Sequence, residues 1–365
     1  MTSTVTQPAK SGALERRNRG ADLTFRQKLG RWDVKFSPYV YVAPFFILFG
    51  LVGVFPLVYT FVVSLNNWNL LTGPGKWVGF DNYAAELADP LFWNSIFNTF
   101  SIFLISAIPQ LIGALIIAAV LDQNLRAKTF WRLGVLLPYV VTPVAVALIF
   151  SSVFSEKYGL VNNILQTIGI DPIMWKTELF PSHLAIASMI NWRWTGYNAL
   201  ILLAAMQAVP KDVHEAAAID GANAVQRFFS ITIPSIRPTV IFVIITSTIG
   251  SLQIFTEPKL FNASSSVPGG PFRQYQTTVL YMWDVAFNRE NFGKSAAIAW
   301  ILFIIIVLIG LINFFLSSRI ATSDSRKSQR RTARVFARAR LASSPDAPSS
   351  TIARLPAESH QEPRS

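Results

Sequence analysis

The segment EAAAIDGANAVQRFFSITIP, residues 215–234, places charged residues, a glycine and a proline between two long apolar runs. Residues 211–220 predict a short helix, because they include three successive alanines, the residue with the highest helix propensity. Gly221 predicts a turn, since glycine adopts a positive φ without penalty. A second short helix is predicted to follow, up to Pro234. Such a helix-turn-helix needs a partner to cover the apolar side chains that it presents, which are Val213, Ala217, Phe228 and Phe229.

The apolar runs on both sides of this segment predict a membrane protein. The chain of 365 residues is 52% hydrophobic and only 14% charged, and its mean hydropathy is +0.39. A helix needs about 20 mostly apolar residues to cross a bilayer. We therefore predict an all-α integral membrane fold with six transmembrane helices, over residues 38–65, 97–121, 133–154, 184–207, 236–256 and 295–317.

The distribution of positive charge predicts the orientation of these six spans. The two tails and two alternate loops carry 24 Lys and Arg residues, against 7 on the other three loops. Because cytoplasmic loops are enriched in Lys and Arg, both termini and the loop over residues 208–235 are predicted to be cytoplasmic. The net charge of +12 is explained by this topology, so no nucleic acid partner is predicted.

Two tails flank the predicted six-span domain, residues 38–318. The N-terminal tail, residues 1–37, includes a predicted amphipathic basic helix over residues 22–37 at the inner membrane surface. It has apolar residues at helical spacing, namely Phe25, Leu29, Trp32 and Phe36. The C-terminal tail, residues 319–365, is rich in Ser, Arg, Ala and Pro, which predicts a disordered basic segment in the cytoplasm.

Several kinds of chemistry have no motif in this chain. It contains no phosphate-binding loop, no HExxH and no GxSxG pattern. Without cysteine, and with only three scattered histidines, it predicts neither a disulfide nor a metal site. The predicted spans contain almost no ionisable residue, which disfavours a proton-coupled carrier. Energy for uphill transport is therefore expected to come from another subunit through the cytoplasmic loop.

The residues around that loop resemble a known family. EAA at residues 215–217, DGA at 220–222 and TIP at 232–234 look like the EAA loop of the membrane subunits of ABC importers. The stretches LPYVVTPVAVALIFSSVF (137–154), LLAAMQAVPKDVHEAA (202–217) and SLQIFTEPKLF before GGP (251–271) resemble the carbohydrate-uptake branch, the maltose and lactose permease type. The resemblance covers residues 38–318 and omits both tails.

The resemblance implies a function and a set of partners. The chain would be the permease subunit of an ATP-driven importer in a bacterial plasma membrane, moving a sugar, such as a di- or oligosaccharide, by alternating access. A second homologous permease subunit, two cytoplasmic ATPase subunits and an extracytoplasmic solute-binding protein would complete the complex. ATP would be used by the partner, so the chain itself would be no enzyme and would hold no cofactor. The residues implied to couple it to the ATPase are Glu215, Ala216, Ala217, Asp220 and Gly221.

Aromatic and amide residues in two spans mark a candidate solute pathway. The fourth and fifth spans line the sugar site of the maltose-type permeases, and the candidate residues here are Asn191, Trp194, Tyr197, Ser247, Gly250, Ser251, Gln253 and Ile254. Smaller groups at Gly250, Ser251 and Ile254 replace amides and an aromatic residue of that family, so the pocket is expected to differ from a maltose site.

Other interpretations of these residues and of the chain remain open. Trp192 and Trp194 also fit an outer aromatic belt, and Arg193 could extend to the outer interface. The serines and glycine of the fifth span also fit positions where membrane helices pack closely. For the whole chain, the alternatives are an importer of another solute (a polyol, glycerol phosphate or a peptide), a secondary transporter, or a scaffold without transport.

Overall fold

The computed structural model describes residues 25–69, 71–123, 125–263 and 265–315, with side chains described from Phe36 onward. The C-terminal tail and most of the N-terminal tail therefore lie outside the described residues. The chain divides into two compact units between Val63 and Ser64, and each is described by itself.

The first unit is a long interrupted helix. It comprises α1 (Phe25–Phe49), a π-helical turn (Gly50–Val54) and α2 (Phe55–Ser64). The predicted surface helix over residues 22–37 is not a separate element, because α1 continues from Phe25 into the first span. The apolar part, Phe36–Ser64, has a mean hydropathy of 2.4 over its most apolar window, and most of its large apolar side chains are exposed. These properties are typical of a helix surrounded by lipid.

A β-hairpin opens the second unit, so the all-α prediction is wrong at this point. Strands β1 (Asn66–Asn69) and β2 (Gly73–Trp77) pair antiparallel. Gly73 has φ +78°, a conformation that glycine adopts readily. Gly75 lies against the backbone of the opposite strand, where an added Cβ would be 2.2 Å from the carbonyl oxygen of Asn67.

Two helices follow the hairpin. α3 (Asp81–Ala88) is short, whereas α4 (Pro90–Asp122) has 33 residues and contains the predicted second span. The Asp89 carboxylate caps α4 by accepting a hydrogen bond of 2.8 Å from the amide of Leu91, which satisfies one of the free amides at the helix start.

The third predicted span, residues 133–154, is not one continuous helix. α5 (Lys128–Val140) and α6 (Pro143–Val153) meet at an angle of 87°. The residue before a proline avoids helical geometry for steric reasons, and Thr142 has an extended ψ of 143°. Pro143 then begins α6. The break therefore follows from the Thr142-Pro143 step, which the prediction of one continuous helix overlooked.

The core of the second unit forms around α4 and α8. After the short outer helix α7 (Leu160–Thr167), α8 (Leu179–Gln207) begins five residues before the predicted fourth span. Small residues allow the two long helices to approach closely. The fully buried alanines of one apolar cluster, shared with Leu202 and Val243, are Ala114, Ala118 and Ala199.

The predicted cytoplasmic loop, residues 208–235, and the predicted fifth span contain several short helices. They are α9 (Lys211–Ile219), α10 (Ala224–Arg227), a π-helical turn (Phe228–Thr232), α11 (Ile233–Ser235), α12 (Arg237–Leu252) and α13 (Thr256–Phe261). The stretches Ala224–Ser235 and Arg237–Leu252 are bent by 71°. The fifth predicted span, residues 236–256, therefore ends four residues early, at Leu252.

A buried carboxylate joins the residues that precede the last long helix of the second unit. It lies at the start of a π-helical turn, Asp284–Asn288, between α14 (Thr278–Trp283) and α15 (Phe292–Phe315). The Asp284 carboxylate accepts hydrogen bonds from Arg273 at 3.0 Å and Arg289 at 3.3 Å. Burial alone would raise the pKa of this carboxyl, but the hydrogen bonds from Asn288 and Arg273 and the two positive charges bring it below its ordinary value.

Among the described residues, three helices are long and apolar enough to cross a bilayer, and five if each bent pair is counted as one. α8 has the length, at 29 residues, and is not among these helices, because polar residues such as Asn191, Arg193 and Asn198 lower its hydropathy. The structure thus shows a helical membrane protein with several apolar helices.

Candidate solute cavity and coupling loop

Three helices of the second unit enclose a cavity of about 210 Å³. α4 contributes Gln110, and α8 contributes Trp194 and Tyr197 among its residues. α12 and the residues after it contribute small polar side chains together with Phe242 and Ile254. The lining consists of Gln110, Ile190, Trp194, Tyr197, Asn198, Ile201, Phe242, Thr246, Ser247, Gly250, Ser251 and Ile254.

The structure brings six of the eight candidate pathway residues to this cavity. They are Trp194, Tyr197, Ser247, Gly250, Ser251 and Ile254. Asn191 and Gln253 are not part of the lining, and Gln253 is exposed. The three-residue spacing along α12 explains the grouping, since residues three or four apart share one helix face.

Three aromatic rings form one wall beside the cavity. Tyr139 of α5 stacks on Tyr197 of α8, with ring centroids 4.6 Å apart and planes 19° apart. Trp194 contacts both rings edge to face, at 5.2 Å from Tyr139 and 5.8 Å from Tyr197. Trp194 is therefore placed at the cavity, whereas Trp192 is 43% exposed and still fits an aromatic belt.

Arg193 does not extend to an interface as one interpretation suggested. Its guanidinium lies 3.8 Å from the carboxylate of Glu257, and both side chains are largely buried. It also lies over the rings of Tyr139 and Trp194, at 5.9 and 5.5 Å from their centroids. The arginine is held in the protein by one anion and two aromatic faces.

The candidate pathway residues omit two amides of the lining. Gln110 lies in the middle of α4, and Asn198 donates a hydrogen bond of 3.1 Å to the Ser247 hydroxyl, which links α8 to α12. Asn198 directly follows the predicted Tyr197. Gln110, after Pro109, is an isolated amide in an otherwise apolar stretch, and this was the signal that could have revealed it.

The cytoplasmic loop folds as the predicted helix, turn and second helix. α9 ends in a turn at Gly221, which has φ +83°. The Ala222 amide donates to the Ala217 carbonyl at 2.9 Å, and the Gly221 amide donates to Ala218 at 3.1 Å, the pattern of a glycine helix end. α10 then begins with a capping box between Asn223 and Gln226.

The loop presents a mixed acidic and apolar surface. Glu215, Ala216, Asp220 and Gly221 are exposed, and Ala217 is half-buried. Ile219 and Phe229 are 87% and 65% exposed. The expectation that Phe228 is also presented is wrong, because it packs against the apolar cluster between α4, α8 and α12.

Comparison with protein families decides what kind of protein carries these two features. The family of binding-protein-dependent transport system inner membrane components matches residues 110–322. The chain belongs to this family. The matched residues include the cavity and the whole cytoplasmic loop, so both features belong to a transport component of the membrane rather than to an enzyme.

The names of individual relatives agree with the assignment of this chain to the family of inner membrane components. The chain is 35% identical over 300 residues to the lactose transport system permease protein of Rhizobium radiobacter, covering 80% of this chain and 97% of the relative. It is 30% identical over 292 residues to the arabinooligosaccharides transport system permease protein of Halalkalibacterium halodurans, covering 80% and 90%. The inner membrane component is therefore similar to sugar-transport permeases over nearly their whole length.

A solved structure shows the same fold. The inner membrane component is similar to a chain in the crystal structure of a bacterial ABC transporter involved in the import of the acidic polysaccharide alginate, with a TM-score of 0.68. The sequence identity is 20%, and the match covers 80% of this chain and 99% of the other. At this identity the likeness concerns the fold.

Proposed function

We propose that this permease subunit imports a sugar, a di- or oligosaccharide, through the cavity between α4, α8 and α12. The observation that carries the proposal is the pairing of an aromatic wall with neutral polar groups in one cavity. Aromatic rings offer flat apolar faces, and a few placed polar groups give orientation in a ligand site. The sugar-transport relatives support the same cargo class.

The cytoplasmic loop is the proposed contact with the ATPase. Glu215 would pair with a basic group of that subunit, while Ala216 and Ala217 would allow close approach. The exposed Ile219 and Phe229 give the partner an apolar surface to cover. Nucleotide-driven closure of two ATPase subunits would then move α9 as a rigid lever and alternate the access of the cavity.

The proposed topology has six spans, with both termini and the residue 208–235 loop in the cytoplasm. α8 is the span that apolarity alone does not support. Of its polar side chains, Asn198 lines the cavity and Arg193 lies in the buried ion pair. Polar residues in a membrane helix are expected to face the protein interior. The predicted domain bounds, 1–37, 38–318 and 319–365, remain part of this proposal.

The other proposed partners follow from the separate roles of permease, ATPase and binding protein in an importer. One chain offers one cytoplasmic loop, so two ATPase subunits call for a second, homologous permease subunit. An extracytoplasmic binding protein would deliver the sugar to the outer loops, as in the alginate transporter structure solved with a periplasmic protein that carries a pentasaccharide. ATP would be bound by the ATPases alone.

The experiment that tests the coupling role is the variant Glu215→Lys in the assembled complex. We expect loss of ATP-driven sugar uptake in vesicles, and of ATPase subunits co-purified with the permease, while membrane insertion stays normal. The matched control is Asp122→Lys, because Asp122 is an exposed acid on the same predicted side and outside the loop. Uptake that survives Glu215→Lys would contradict the coupling role, and uptake driven by an ion gradient without ATP would contradict the importer class.

A further inference from the structure

We propose that the Gln110 amide binds hydroxyl groups of the transported solute, and that the cavity selects an uncharged polyhydroxylated solute. The inference rests on the proposed function and deepens it, because it assigns a recognition group and a charge class to the cavity. The predicted coupling residues and the predicted pathway residues do not include any residue of α4.

Gln110 is a buried amide without a hydrogen-bond partner among the residues that the structure describes. The residue is 3% exposed and lines the cavity. No hydrogen bond joins its side chain to another of the described residues. A glutamine amide has two N–H donors and a carbonyl with two acceptor lone pairs, so the full capacity of this group is available to a ligand.

The Gln110 side chain lies among apolar neighbours, but its amide is not fully enclosed by protein, because it lines the cavity. Its neighbours on α4 are apolar, and Pro109, Leu111 and Ile112 show that an apolar residue would fit the local pattern. Buried polar groups are normally hydrogen-bonded, and positions that break such a rule are concentrated at functional sites. The amide is therefore explained by a ligand that completes its hydrogen bonds.

The surroundings of Gln110 favour a solute with several hydroxyl groups. Gln110, Asn198 and Ser247 together line both the cavity and a second, mainly apolar groove of about 250 Å³. Asn198 uses its Nδ2 in the bond to Ser247, and that bond does not involve its carbonyl oxygen. Donors and acceptors from three helices thus line the same cavity as the aromatic side chains.

The charge of the site favours a neutral solute. All twelve lining residues are uncharged at neutral pH. Arg193, which precedes Trp194, has its charge matched by Glu257 at 3.8 Å. An anionic solute would lose its hydration in the cavity without meeting a free cation, and an unpaired charge is expensive to bury.

Direct binding measurements on the purified permease–ATPase complex test both parts of the proposal. The probes are uncharged di- and trisaccharides, with a uronic-acid disaccharide as the anionic probe, added without the binding protein. Equilibrium dialysis with radiolabelled sugar reports occupancy. The variant Gln110→Leu removes the amide at similar volume, and Gln166→Leu repeats the change at an exposed glutamine.

We expect Gln110→Leu to weaken binding of the neutral sugar about 3- to 10-fold, the range for one or two neutral hydrogen bonds. Sugar imported per ATP should fall, while the melting temperature stays close to that of the wild type, because leucine matches the apolar neighbours of position 110. A purely structural glutamine would instead lower the melting temperature and leave the affinity unchanged. Gln166→Leu should behave as the wild type.

The outcomes separate this inference from the proposed function. Wild-type affinity in Gln110→Leu would overturn the role of the amide, and preferential binding of the uronic acid would overturn the neutral class, while sugar import stands in both cases. A wild-type complex that binds and imports none of the sugars would overturn the proposed function, and the inference with it.

Discussion

Gly221 provides the sharpest test of the cytoplasmic loop, because its requirement is conformational. Its φ of +83° lies in the left-handed region, and an added Cβ would meet no atom within 4 Å. Substitutions there change the backbone preference of the turn without a steric clash. We therefore predict a graded effect on coupling in the series Gly221→Asn, Gly221→Ala and Gly221→Pro.

The magnitude follows from the backbone alone. A non-glycine residue in the left-handed conformation costs roughly 1–2 kcal/mol, which lowers the population of the native turn by about 5- to 30-fold. Asparagine tolerates this region better than alanine. Proline is excluded from it, and it also removes the amide that donates to Ala218 at 3.1 Å, so Gly221→Pro should abolish coupling.

The assay is ATP-driven uptake in membrane vesicles, together with the amount of ATPase subunit that co-purifies with the permease. Activity should decrease in the order Gly, Asn, Ala, Pro, at constant permease level in the membrane. The matched control is Gly134→Ala, because Gly134 lies inside α5 with nothing within 4 Å of an added Cβ. Alanine favours a helix interior by about 0.5–1 kcal/mol over glycine, so this variant should be neutral or stabilising.

Normal uptake and normal ATPase association in Gly221→Pro would refute the reasoning. Equal activity of the Asn and Ala variants would refute its conformational part, because a steric or chemical role would not follow the left-handed preference.

Three further predictions concern the packing and charges of the second unit. In Gly196→Ala the new methyl would lie 1.8 Å from a backbone oxygen of α5. We therefore expect the protein to be destabilised by about 1–3 kcal/mol and sugar uptake to fall. The control Gly310→Ala places its methyl in open space and should leave the melting temperature unchanged. Asp284→Asn should lower the melting temperature at neutral pH, by an amount equivalent to about 3–5 kcal/mol. The pKa of Asp284 is lowered from its ordinary value of 3.8. The carboxylate therefore contributes fully to stability above pH 3.8, and this contribution is lost as the pH falls through the lowered pKa. The melting temperatures of the variant and the wild type should converge in acid. Glu257→Gln leaves Arg193 unpaired and should also lower the melting temperature; an unchanged value would show that the aromatic rings alone hold the arginine.

The helical membrane class and the helix-turn-helix of residues 211–227 could be predicted from the sequence because their signals are local. Apolar runs of about 20 residues have few soluble alternatives, and Gly221 between two polar helical segments predicts its own turn. The breaks in the spans also have local signals, namely Pro143 and the polar residues at the end of the predicted fifth span. A hydropathy value averaged over about 20 residues does not detect such signals. The hairpin at residues 66–77 was hidden for the same reason, since it is short and lies in a polar loop.

The solute cavity is a different case, because it depends on which helix faces which. The sequence alone predicted an apolar helical protein, the turn at Gly221, and six residues that the structure brings to the cavity from α8, α12 and the residues after α12. Only the tertiary structure decided that Gln110 of α4 joins them, that Tyr139 of α5 completes the aromatic wall, and that Arg193 meets Glu257. Contacts between helices far apart in the chain are fixed by side-chain packing, which no local pattern records.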